Sequence, residues 1–374
     1  MRYCTRCILP DTRPGLKFDG DGVCSACREH EVRGPDVDWA ARGRLFEQVA
    51  DEARELGRDW DCVVPVSGGK DSTWQIATCL EHGLKPLAVT WRTPARTELG
   101  ARNLQNLIEL GVDHVDVTVN PKVERRFLLT ALERHGTTAI PMHLAIFNIP
   151  TTVAARFGVP LIVWGENSAV EYVGGEDEDS SFDLTSEWVR KYGAVHGTTA
   201  DDWVSDDLSA ADLAIYRGPS DAELRAAGVR AVFLGMFFAW DPQKTFDIAR
   251  SHGFEADTRP RTGAYAYADI DDDFISIHHW LKWYKFGFTR VWDNLSLEIR
   301  NGRLTRERAI ELTRELGDQT PHEDIAAFCR YVGIDEERFF AIAETFRNHE
   351  IWTEHEGTWR IADFLVPDWS WESA

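Results

Sequence analysis

The chain has 374 residues, 43% hydrophobic and 28% charged, a soluble globular composition long enough for two or three domains. No run approaches the roughly eighteen apolar residues of a membrane helix, and Met1-Arg2-Tyr3-Cys4 lacks a signal-peptide core, so the expected location is cytoplasmic with no membrane contact. With 62 acidic against 41 basic residues, a net charge of −21, the bulk field repels nucleic acid, whose binders neutralise phosphate with basic surfaces.

Residues 1–33 read as a separate short unit. Cys4, Cys7, Cys24 and Cys27 follow the pattern C-x2-C-x16-C-x2-C, the spacing of a four-thiolate zinc site, with "FDGDG" as the turn that folds the second pair back. Four thiolates leave no open coordination position, so the expected Zn2+ is structural, and a unit this short needs the metal to fold. Cys62, Cys79 and Cys329 stand singly, which argues against a secreted disulfide framework.

From 34 to 273 strands and helices alternate. Short apolar runs at 61–67, 85–91, 113–119, 159–165 and 230–237 read as buried parallel strands. Helical patterns lie at Asp71–His82, Glu98–Leu110 and Met142–Phe157, each followed by the stop signal of a glycine. The expected fold is α/β, a doubly wound, mainly parallel sheet. Ligands then gather at the carboxyl ends of the strands, which selects Ser67–Ser72, Thr90–Arg92, Asn120 and Gly165–Asn167. The acidic insertion over 174–210 reads as a solvated loop or surface helix, with a substrate lid as the sharper alternative. From 274 to 374 the chain is expected to form a C-terminal helical region, with helical patterning to about Glu354.

The stretch "VVPVSGGKDSTW" runs from strand through a tight Ser-Gly-Gly turn into a helix, a cradle of backbone N–H groups and helix dipole for a phosphate. It is not the G-x-x-x-x-G-K-[ST] cradle, because Lys70 is followed by Asp71. Gly68 and Gly69 allow close backbone approach, Ser67 and Ser72 add hydroxyls, and Lys70 adds a point charge. Asp71 is placed to orient the loop, hold Mg2+ or cap the helix.

"SGGKDS" resembles the S-G-G-x-D-S loop of the PP-loop ATP pyrophosphatases. Together with the cysteine unit, "WGENSAVEYVGGE" and "YKFGFTRVWDNLSLEIRNGRLTRERA", it makes nearly the whole chain resemble the N-acetyl sugar amidotransferases of surface-polysaccharide biosynthesis. "ENSAVEYVGG" departs from the family's E-N-P-x-x-E-Y-G-G, which leaves the sugar open.

The resemblance implies that an acetamido oxygen of a nucleotide-linked sugar attacks the α-phosphorus of ATP, and ammonia then displaces AMP to leave an amidine. ATP and Mg2+ are the implied cofactors beside Zn2+. Ser67, Gly68, Gly69, Asp71 and Ser72 would hold the pyrophosphate with Lys70, and Thr90, Trp91 and Gly165 the rest of the nucleotide. Glu166 and Asn167, directly after the fourth strand, are expected to meet magnesium, ATP or sugar, with Glu171 and Tyr172 as further substrate contacts.

His278, Lys282 and Lys285 fall on one helix face with Arg290 beyond, cations suited to a sugar diphosphate or carboxylate. No cysteine sits in a glutaminase setting, so the resemblance implies ammonia from a separate glutaminase and a cyclase-like barrel subunit. The rival reading is a PP-loop sulfurtransferase making a thioamide or a thiolated nucleoside or tRNA. A second rival is a binding module without catalysis.

Overall fold

A computed structural model describes residues 1–57, 59–174 and 182–371. After α1 (Ser25–Asp36) and α2 (Trp39–Leu56), the chain alternates β1 (Cys62–Pro65), α3 (Lys70–Glu81), β2 (Pro86–Trp91), α4 (Glu98–Ile108) and β3 (Asp113–Val117). Then come α5 (Pro121–His135), α6 (Ala139–Phe157), β4 (Leu161–Trp164), α7 (Ser186–Tyr192), α8 (Asp221–Ala226), β5 (Arg230–Phe233) and α9 (Pro242–Ser251). The five strands are parallel in the order β3-β2-β1-β4-β5. The order reverses between β1 and β4, so the loops after these two strands open on the crevice where such sheets take ligands.

Successive strand residues face opposite sides, and two cores form accordingly. Val63, Leu87, Val89 and Ile162 pack with Phe127 of α5 and Leu144 of α6. Val64, Ala88, Leu161 and Val163 pack on the other face with Phe46 of α2 and Ile76 of α3. The expected buried strand at 113–119 is instead a half-exposed edge, because only β2 pairs with it. Its two aspartates, Asp113 and Asp116, take partners at the rim: Trp60 Nε1 and the Arg92 guanidinium.

The C-terminal region holds α10 (Phe274–Phe286), α11 (Arg290–Arg300), α12 (Arg306–Leu316), α13 (His322–Val332) and α14 (Glu336–Glu344). It then departs from the helical expectation as an antiparallel hairpin of β6 (Trp352–His355) and β7 (Thr358–Ile361). Glu356 and Gly357 at its tip both have positive φ, 52° and 74°, the backbone a tight two-residue hairpin turn needs.

The cysteine unit does not stand apart. Ile8, Leu9, Leu16 and Val23 share one core with Trp283, Trp292, Leu295, Trp352 and Ile361. The acidic insertion also differs from a solvated loop. Trp203 and Leu208, with Leu213 and Tyr216 just beyond the insertion, are buried in the core beside α5 and α6, while Asp202 points outward and accepts from the Thr199 hydroxyl to cap a turn. Residues 175–181 of that insertion lie outside the described residues.

Candidate functional site

β1 delivers the Ser-Gly-Gly turn to the start of α3. Gly69, not Asp71, is the cap residue, so Lys70 and Asp71 occupy the first turn, where backbone N–H groups lack helical partners. The Ser72 hydroxyl accepts from the Ser67 N–H at 3.1 Å, and the Ser67 hydroxyl accepts from the Gly69 N–H at 3.2 Å. Gly68 has φ +94°, and a Cβ there would sit 2.7 Å from the Gly100 carbonyl and 2.8 Å from the Leu104 nitrogen. Its first requirement is therefore close contact with α4 rather than room for a phosphate.

Two cavities meet at this loop. The smaller, about 200 Å3, is lined by Gly69, Lys70 and Ser72, roofed by Trp240, Tyr265 and Tyr267. The larger, about 850 Å3, extends from Ser67 and Ser72 past Trp91, Gly165 and Glu166 to α10. Asp71, Glu166, Tyr172 and Arg290 line both. Burial first, and then the charge of Asp71, push the Glu166 carboxyl up to about 7. A carboxyl raised in this way beside a second carboxylate makes a pair that a divalent cation would suit.

The opposite wall is cationic. His278, Lys282 and Lys285 of α10 all face the larger cavity, as the helical spacing predicts, and Arg290 joins them from the start of α11. Burial, offset in part by Asp293, lowers Lys282 to about 8; burial and then the Lys282 charge lower Lys285 to about 8. His278 is bonded to the Thr137 hydroxyl at 2.9 Å, and burial keeps it neutral. Trp280 and Trp283 point instead into the cores on either side.

Residues 188, 190–194, 196 and 197 form another wall, so this part of the acidic insertion encloses the cavity.

Four expected contacts lie elsewhere. Thr90 is buried, donating to the Val66 carbonyl at 2.9 Å and meeting His114. Asn167 accepts from Trp188 Nε1 and the Ala169 N–H, both at 3.1 Å, and so holds the turn after β4. Glu171 lines neither cavity, and its carbonyl accepts from Arg300 at 2.9 Å. Asn120 caps α5.

The sequence reading missed the acidic run Asp269–Asp273. Asp269 and Asp271 line both cavities. Burial would raise Asp269, but Arg290 and then His279 hold its carboxyl well below the usual range. Asp272 accepts from Thr93 and from the first N–H groups of α10, and burial pushes it up to about 6. A run of aspartates before a helix reads as a simple cap; its approach to a loop some two hundred residues earlier has no sequence signal.

At the other end, Cys4, Cys7, Cys24 and Cys27 are buried with all four sulfurs within 4.8 Å of one another. Cys4–Cys27 and Cys7–Cys24 separations are 4.0 and 3.7 Å, matching the roughly 3.8 Å edge of a tetrahedron with Zn–S bonds of about 2.3 Å. The N–H groups of Arg6, Cys7 and Cys24 point at Cys4 Sγ, as they would at a thiolate. The set fits zinc.

Fold and site together define an α/β protein with an SGGKDS loop at the switch point of its parallel sheet, a four-cysteine cluster before it and a helical region after it. Residues 261–365 match the family model described as LPS biosynthesis protein WbpG-like, C-terminal domain, and they carry the acidic run and the cationic wall. No curated protein sequence matches the chain. Among solved structures, an NMN synthetase from Francisella tularensis is similar at 15% identity and TM-score 0.28, over 58% of this chain and 93% of that one. A predicted subunit of tRNA methyltransferase from Methanocaldococcus jannaschii gives 16% and 0.28, over 64% and 91%. An NAD+ synthetase from Burkholderia pseudomallei gives 17% and 0.26, over 63% and 94%. Among the described residues no helix is long and apolar enough to cross a membrane.

Proposed function

We propose that the chain is an ATP-dependent, AMP-forming amidotransferase that converts the acetamido group of a nucleotide-linked N-acetyl sugar to an acetamidino group. One observation carries the reading. The SGGKDS turn, the Asp71–Glu166 pair and the Lys282–Arg290 wall face one another across adjoining cavities, the larger being about 850 Å3. Such a set would suit an anion cradle, a cation site and a second anion site along the two cavities. The WbpG-like match supports a role in LPS biosynthesis.

An amide carbonyl is a poor electrophile because oxide does not leave. Attack of its oxygen on the α-phosphorus of ATP forms the new O–P bond and expels pyrophosphate. The smaller cavity, at the start of α3, suits that leaving group, with Lys70 and the first-turn N–H groups as donors. Asp71 and Glu166 would hold Mg2+, which supplies charge neutralisation at the phosphates. Arg290, facing both cavities, stands where negative charge develops between them. Ammonia then adds to the imidate carbon, loses a proton and expels AMP. Positioning is the protein's main contribution to both steps. A separate glutaminase and cyclase-like subunit as the ammonia source belong to the same proposal.

A tRNA- or nucleoside-thiolating rival often uses a reactive cysteine near the adenylate, whereas a thioamide synthase differs only in its nucleophile. Among the described residues no cysteine lines either cavity, and Cys62, Cys79 and Cys329 are all buried. The test is incubation with ATP, Mg2+, ammonium and a panel of UDP-linked acetamido sugars, read by mass spectrometry. AMP together with exchange of O for NH on the sugar is the expected result. ADP and phosphate, or sulfur gained from a sulfur donor, would overturn it.

A further inference from the structure

Arg13 belongs to the cysteine unit, yet its side chain lines the larger cavity. It donates from Nε to Asp293 Oδ1 at 2.7 Å, and that carboxylate is only 1% exposed. The other oxygen, Oδ2, is buried without a hydrogen bond, 3.5 Å from Lys282 Nζ and 4.0 Å from Arg290 Nη1. One buried carboxylate thus stands among three cations, and the bond to Arg13 decides which way it faces. Arg13 and Arg290 also flank the ring of Tyr172, at 6.0 and 5.2 Å.

The ribbon is anchored to hold this arrangement. The Thr12 hydroxyl donates to the Phe286 carbonyl at the end of α10, at 2.6 Å. The Ser25 hydroxyl donates to the Val173 carbonyl, next to Tyr172. A Cβ on Gly174 would lie 2.4 Å from the Ser25 carbonyl, so ribbon and turn are in backbone contact.

We propose that Arg13 is a positioning residue of the substrate pocket, fixing Asp293 so that Lys282 and Arg290 stay presented to an anionic substrate group, and that the metal-loaded ribbon is thereby part of the substrate site. The substrate half of this inference rests on the larger cavity being the nucleotide-sugar site. Without Arg13, Asp293 is free to rotate onto Lys282 and Arg290 and consume their charge. ATP, held chiefly by the loop, is affected less, through Arg290 alone. Lys282 reports the change directly. It faces Asp293 and Arg290 of α11, Arg13, Asp269, His143 of α6 and, on its own helix, His278, His279 and Lys285. Loss of the Arg13 charge raises its proton affinity.

The test uses the zinc-loaded full chain, with Lys282 acetylation by acetic anhydride followed across pH by mass spectrometry. In Arg13→Ala the labelling midpoint moves up by roughly half a unit or more, while Arg13→Lys, which keeps the charge, stays near wild type. KM for the sugar rises about tenfold or more in Arg13→Ala, with a smaller change in KM for ATP. An unchanged Lys282 midpoint in a folded, zinc-loaded Arg13→Ala overturns the proposal. If that variant loses zinc, Asp293→Asn decides: its Lys282 midpoint falls, and one that stays at the wild-type value overturns the proposal equally. A wild type that forms no AMP with any sugar sinks the proposed reaction, and the Lys282 titration still judges Arg13.

Discussion

Lys70 and Asp71, neighbours in sequence, turn their side chains toward one another, with Nζ 2.6 Å from Oδ2. Trp240 completes the group: its Nε1 donates to Asp71 Oδ1 at 3.0 Å, and its ring lies 5.3 Å from the ammonium. The charges that would meet a triphosphate and its cation are thus held against each other at the mouth of α3.

Asp71→Asn separates the two roles of this carboxylate. The amide oxygen still accepts from Trp240, so the melting midpoint is expected to stay within the equivalent of about 1 kcal/mol. The charge that steers Lys70 and holds Mg2+ is lost, and AMP formation falls by about a hundredfold or more. Activity near wild type in a folded variant removes Asp71 from the reaction.

Glu166 sets a pH dependence of stability. Its folded value, about 7, lies above the ordinary 4.5, so between these two pH values the folded state retains a proton the unfolded chain has released. Stability from this group is present below about pH 4.5 and is lost as pH rises to about 7, by on the order of 3 kcal/mol. Magnesium, which favours the carboxylate, is expected to raise the melting midpoint at pH 8 and hardly at pH 5. Glu166→Gln flattens both trends. Equal magnesium stabilisation at the two pH values in wild type would place the ion elsewhere.

The two loop glycines should fail in different ways. Gly68→Ala puts a Cβ into the backbone of α4 at φ +94° and is expected to cost about 2 kcal/mol or more, read by urea denaturation. At Gly69, φ is −75° and the nearest contact is the Ser67 hydroxyl at 3.3 Å. Gly69→Ala therefore keeps stability within about 1 kcal/mol and loses ATP turnover instead.

Metal removal tests the cysteine unit as part of the fold. Because Ile8, Leu9 and Leu16 share a core with Trp283, Trp292 and Trp352, chelation should loosen the C-terminal region as well. A drop of several degrees in melting midpoint is expected, a few kcal/mol, with one zinc ion per chain by elemental analysis before treatment. A zinc-free protein with unchanged melting would show the four thiols to be packing residues.

The sequence alone determined what is local. Short apolar runs set between helical patterns closed by glycine located all five parallel strands, because hydrophobic period and stop signals depend on neighbours within a few residues. The SGGKDS turn and the cysteine spacing were legible for the same reason, as was the shared face of His278, Lys282 and Lys285. Sequence could not tell an edge strand from a central one at 113–119, nor the hairpin at 352–361 from more helix, since pairing partners decide both. Tertiary structure alone moved Thr90 and Asn167 into structural hydrogen bonds and brought Asp269 and Asp271 to the loop. It also joined Arg13 to Asp293 across 280 residues of chain. Such contacts arise when separate elements bury surface against one another, and buried charges must then find partners wherever packing places them.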